Sequence, residues 1–163
     1  MILYLVRHGI AVDPSDPKSP PEAERPLTAE GVQKTRSAAL GLRELGAQPD
    51  LMITSPYVRA AQTAEIFAEA FGYAPEKVRV SEALKPAGHP AELLKEIARL
   101  KAREVLCFGH APHLDQVIAQ LAGARGVFTG LKKAGVACFE QAARGGRWEL
   151  LWVLTPKMLR QLG

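Results

Sequence analysis

Residues 1–6, MILYLV, contain no charged side chain, and the run stops at once on Arg7, His8 and Gly9. A strand that is apolar at every position has no face to give to water. It must be covered on both sides, which parallel sheets achieve with helices packed on both faces. The rest of the chain offers those helices in alternation with further short apolar runs.

Residues 13–26, DPSDPKSPPEAERP, hold five prolines and read as a long loop without regular structure. Thr28 then caps a helix running to about Leu45, with Gly46 as its terminator. DLMITS is a second strand; Ser55 caps the helix after it, Pro56 takes the first position and Gly72 follows the end. VRV at 78–80 is a short third strand. Pro90 opens a helix with Leu93, Leu94, Ile97 and Leu100 on one face, and EVLCF is the fourth strand. Pro112 opens another helix that buries Leu114, Val117, Ile118 and Leu121 and stops near Gly123. GVACFE and WELLWVL are two late strands joined as a hairpin through ARGGR, and Thr155-Pro156 starts a last turn of helix.

No internal repeat or linker divides the chain, and 163 residues at 47% hydrophobic content can bury an ordinary core without disulfides or metal. The expected architecture is α/β, one domain over residues 1–163. It is a three-layer α/β/α sandwich with a mostly parallel central sheet, an antiparallel edge strand and no large cap insertion. Cys107 and Cys138 lie in apolar contexts and read as small core residues. No apolar stretch approaches the roughly 18 residues of a membrane span, so no membrane partner is expected. MILYLV is too short and too soon charged for a secretory signal, which makes the cytoplasm the expected compartment.

The formal charge is +4, with acids and bases interspersed. Between Asp115 and Glu140, however, Arg125, Lys132 and Lys133 stand with no acid, so one surface is expected to be positive. That balance suits an anionic substrate and argues against a nucleic-acid partner.

Ligands of open parallel sheets bind beyond the carboxyl ends of the strands, where loops and helix N-termini converge. Strand one delivers Arg7 and His8 there, strand two is followed by Arg59 one turn into its helix, and strand four ends on Gly109-His110. Core packing demands none of these side chains. Guanidinium forks match phosphate oxygens, and helix N-termini add free N–H donors. A neutral imidazole is a nucleophile toward phosphorus, and a protonated one can donate to the transferring oxygens. Gly9, lacking a Cβ, lets the backbone come close to a ligand, and a cap at Ser55 also faces the phosphate.

RHG after the first strand, SPYVRAAQTA after the second and GHAP after the fourth resemble the histidine phosphatase superfamily, or phosphoglycerate mutase-like fold. LTAEG at 27–31 looks like its first-helix entry. The length and the small RHGIA form most resemble the SixA-type phosphohistidine phosphatases. The resemblance implies a phosphatase without metal or other cofactor, working through a covalent phosphohistidine. His8 attacks phosphorus, Arg7 and Arg59 hold the non-bridging oxygens, and His110 completes the pocket, more useful protonated. The implied partner is a phosphohistidine-bearing protein or a small phosphate ester. A small-molecule phosphomonoesterase and a phosphate-binding module without turnover are the alternatives.

Ile10 and Ala11 stand where many relatives carry Glu or Gln and then Thr. Glu82 is the one residue near the third strand able to serve as a general acid for an alkoxide leaving group; a plain surface role is the competing reading. Without that acid, phosphoramidates are favoured over alkyl esters, because imidazole leaves with a conjugate-acid pKa of about 6.5. His113 lies three residues after His110, but no carboxylate or thiolate pattern completes a metal site, so it reads as structural. His89 reads as a helix-start residue, and Trp148 and Trp152 as one face of a strand.

Overall fold

The computed structural model describes all residues 1–163. Its six strands are β1 (Ile2–Arg7), β2 (Leu51–Thr54), β3 (Arg79–Val80), β4 (Glu104–Gly109), β5 (Val136–Glu140) and β6 (Glu149–Leu154). They form one sheet in the order β3-β2-β4-β1-β5-β6. β1 to β4 run parallel. Antiparallel pairing is confined to one side of the sheet, as expected, yet the strand that runs against the others is β5, one in from the edge. β6 turns back through the hairpin and again points with β1.

The helices are α1 (Ala29–Glu44), α2 (Val58–Phe71), α3 (Pro90–Arg99), α4 (His113–Leu121) and the single turn α5 (Pro156–Leu159). Thr28 caps α1, its hydroxyl accepting from Gly31 N–H, which occupies one of the donors a helix start leaves free. Gly72 ends α2 at φ 63°, the left-handed conformation open to glycine. Residues 13–26 are mostly irregular, but Glu22–Glu24 form a 3₁₀ turn and Ala11 bridges Leu27, so the loop is more ordered than its prolines suggest.

Strand alternation sorts the core into two layers. Leu3 and Leu5 face α3 and α4, packing with Leu93, Ile97, Leu114 and Ile118. Tyr4 and Val6 face α1, α2 and α5, packing with Leu42, Phe67 and Leu159. Both cysteines are buried thiols within these layers. The connection leaving β1 goes through α1 to β2 on one side; that leaving β4 goes through α4 to β5 on the other. Adjacent strands whose connections part in this way open a crevice at their carboxyl ends.

α5 sits on α1 through Gly41. A Cβ there would stand 1.9 Å from the Leu159 carbonyl oxygen, backbone against backbone. Gly41→Ala is therefore expected to cost about 1–3 kcal/mol, read as a lowered urea midpoint. An unchanged midpoint would mean that α5 docks elsewhere.

Candidate active site

Backbone pairing sets the strand ends level. Arg7 is in register with Gly109, His8 N–H donates to Gly109 O at 3.0 Å, and Ser55 N–H donates to Phe108 O at 3.0 Å. His8 leaves β1 on the α2 side and His110 follows β4, with ring centroids 5.1 Å apart. Both rings are buried.

The tautomer of His8 follows from its partners. Nδ1 lies 2.7 Å from Gly9 O, and a carbonyl can only accept, so the proton sits on Nδ1. Nε2 then carries the lone pair, and Arg59 Nε donates to it at 3.2 Å. Burial pushes the His8 pKa down to about 3, against the Gly9 hydrogen bond, and the positive charges of Arg59, Arg7 and Lys133 lower it further. His110 shares a 2.9 Å hydrogen bond between Nε2 and Ser55 Oγ, while its Nδ1 has no protein partner. Burial first, then His8 and Arg59, push its pKa down to about 2. His110 is therefore neutral, not the imidazolium that would be most useful to a bound phosphoryl group.

Arg59 is buried, and its guanidinium lies 5.1 Å from the Tyr57 ring centroid. Besides His8, it donates through Nη1 to Glu22 O and through Nη2 to Glu22 Oε1, both at 2.7 Å. Glu22 also accepts from Arg25 Nε at 2.8 Å and Nη2 at 2.9 Å, while Arg25 Nη1 donates to Val12 O at 2.6 Å. Thr63 ties α2 to the β1 turn: its hydroxyl accepts from Gly9 N–H at 3.0 Å and donates to Arg59 O at 2.7 Å. Arg7 Nη1 donates to Leu131 O at 2.7 Å, and the buried Asp115 accepts from Leu131 N–H at 2.8 Å, so a carboxylate on α4 steadies the segment that holds Arg7.

The fold thus gathers Arg7, His8, Arg59 and His110, with Ser55 against His110. Three expectations change. Ser55 is not the cap of α2; Tyr57 holds that position without a side-chain bond, and the Ser55 hydroxyl accepts from Tyr57 N–H at 3.3 Å. The reason is the extended backbone at Tyr57 (ψ 134°), which delays the first helical turn. Gly9 makes room for α1: a Cβ would stand 2.2 Å from Thr35 Oγ1. Glu82 makes no hydrogen bond to the cluster; its side chain is 73% exposed and paired with Lys85. His113 is buried at the start of α4, and no three His, Cys, Asp or Glu side chains converge as metal ligands.

Sequence reasoning missed Glu22, Arg25, Thr63 and Asp115. Asp115 had a signal, a carboxylate within the apolar spacing of α4. Glu22 had none, because its contact with Arg59 spans 37 positions.

Both histidines are neutral when folded but take up a proton in the unfolded chain below about pH 6.5. The unfolded state then binds more protons, so stability falls as the pH drops from 6.5 toward the folded values. The slope is up to about 1.4 kcal/mol per pH unit for each ring. Urea unfolding of His8→Asn between pH 6 and 4 is expected to show a shallower decline than the parent chain. Parallel declines would mean that His8 is not buried neutral.

The chain matches the family model described as histidine phosphatase superfamily (branch 1) over residues 3–87. It is 38% identical over 141 residues to an uncharacterized protein of Picosynechococcus sp., covering 83% of this chain and 82% of that one. It is 26% identical over 125 residues to the phosphohistidine phosphatase SixA of Escherichia coli, covering 74% of each. It superposes on the structure of the protein histidine phosphatase SixA complexed with tungstate with a TM-score of 0.83, at 25% identity, over 98% of this chain and 99% of that one. The chain belongs to the histidine phosphatase superfamily, a family of phosphatases, and carries its phosphoglycerate mutase-like fold in the compact form of the SixA structures.

Proposed function

We propose that this chain is a phosphatase that works through a phosphohistidine at His8 and acts on phosphohistidine in proteins. The observation that carries the reading is the state of His8, with its proton fixed on Nδ1 by Gly9 O and its lone pair on Nε2 turned to Arg59.

Nε2 attacks phosphorus in line. The N–P bond forms as the bond to the leaving group breaks, and the leaving group departs with that electron pair and takes a proton. Water then attacks phospho-His8, the N–P bond breaks, and inorganic phosphate leaves with His8 neutral again. Arg59 exchanges Glu22 for the non-bridging oxygens, while Arg7 and His110 close round the same group. His110 takes up a proton when a dianion arrives, since the anion offsets the burial and repulsion that keep it neutral. Donors and charges fixed in advance around the transferring group are the chief source of rate.

The leaving group follows from what the cluster lacks. No carboxyl group of this chain stands by His8 and His110 as a proton donor; Glu22 is bound to two arginines and Glu82 to Lys85. An alkoxide needs such a donor, whereas imidazole leaves with a conjugate-acid pKa of about 6.5. The likeness to SixA proteins supports the same substrate class.

Rapid quench into alkali, which preserves phosphohistidine, is the test. Turnover of a phosphohistidine protein is expected to label His8 and no other residue, and His8→Ala to abolish label and turnover together. Turnover with the label elsewhere, or none, overturns the mechanism. Arg59→Ala is expected to lower kcat/KM by roughly 30- to 1000-fold, corresponding to about 2–4 kcal/mol of transition-state stabilisation. In the same assays Glu82→Gln is expected to leave phosphohistidine hydrolysis within about twofold, because an exposed ion pair contributes little. A large loss would make Glu82 the missing acid and return alkyl esters to the substrate list.

A further inference from the structure

Beside the reaction centre, at the same end of the sheet, lies a second cavity of about 470 Å³ between α1, the segment before β5, and α5. Six cations line it: Arg7, Lys34, Lys132, Lys133, Lys157 and Arg160. No acidic residue lines it. Only Lys34 has a carboxylate partner, Glu30; the other five pair with none. Like charges brought to one concavity from four parts of the chain repel, and water and counter-ions must offset that repulsion. Nothing in the packing of α1 or α5 calls for this arrangement.

We propose that this cavity is an anion site beside the His8 cluster, sharing Arg7 with it, and that it binds a compact oligophosphate.

The lining selects that chemistry. The volume falls within the range of ligand sites and exceeds the needs of a single phosphoryl group. Four of the six cations are lysines, mobile point charges that answer to charge density, whereas planar two-pronged recognition belongs to arginine. No aromatic ring lines the cavity, so a nucleotide base would find no stacking surface. Only two of the ten lining residues are hydrophobic, which leaves little to hold an apolar ligand body. Arg7 borders both sites, and Lys133 is close enough to His8 to act on its charge. An oligophosphate in the cavity would therefore reach Arg7 and weaken the positive field over the reaction centre.

The test is calorimetric titration of tripolyphosphate in metal-free buffer, with a poly-glutamate peptide as the competing probe. Arg59→Ala, or Arg59→Gln should the alanine variant fail to fold, removes the main anion contact of the His8 cluster. Those variants are expected to keep one tripolyphosphate site. Adding Lys157→Gln with Arg160→Gln, or Lys132→Gln with Lys133→Gln, is expected to weaken that site about tenfold or more. Binding that vanishes with Arg59, or that ignores all four substitutions, would overturn the proposal and leave the His8 cluster as the one anion site. Poly-glutamate binding that follows the four substitutions while tripolyphosphate stays inert would overturn it in favour of an acidic protein surface. Turnover is scored separately in the Arg59 variants, so failure of the phosphohistidine mechanism and failure of the cavity assignment give different results.

Discussion

The 3.0 Å hydrogen bond from the His8 amide to the Gly109 carbonyl is the constraint on which the rest of the site depends. It continues the β1–β4 ladder one step past the sheet, where the two chains part to opposite faces. From that point His8 turns toward α2 and meets Arg59, while His110 starts the descent into α4. The side chains that matter are thus carried on backbone already fixed by sheet pairing, and the loops have only to supply the remaining walls. A site built on strand ends holds its geometry better than one built on loop tips.

Burial of two imidazoles next to two guanidinium groups would be costly if all four were charged. The structure avoids this by keeping both rings neutral, each directed by a neutral acceptor or hydroxyl: Gly9 O for His8 and Ser55 Oγ for His110. Arginine keeps its charge under desolvation far better than histidine does. The pocket therefore separates its functions by residue type, with fixed positive charge on the guanidinium groups and adjustable protonation on the rings. A phosphoryl dianion fits both.

Most of the fold was legible because its signals are local. Caps at Thr28 and Thr155, terminators at Gly46 and Gly72 and apolar spacing in α3 and α4 each depend on a few neighbouring residues. The four central side chains were legible too, since each lies at a strand end or one turn into the following helix. Non-local contacts were not. Gly9 looked like a site for close ligand approach, but the approach is made by Thr35, 26 positions on, a pairing that only the docking angle of α1 decides. Ser55 looked like a cap because Ser-Pro before a helix usually is one; the extended Tyr57 between them changes its partner to His110. Glu22 stood in a proline-rich stretch whose composition reads as irregular, and composition carries no information about which cation such a loop will meet.

Glu22 places a carboxylate on Arg59 whenever no other anion is there. Under the proposed function, occupation of the site is a ligand exchange in which one acceptor group leaves the guanidinium as another arrives. The gain on exchange lies in the greater charge of the newcomer and in the freedom returned to the segment that Glu22 had tethered. Between one such anion and the next, the Arg59 guanidinium is covered by Glu22.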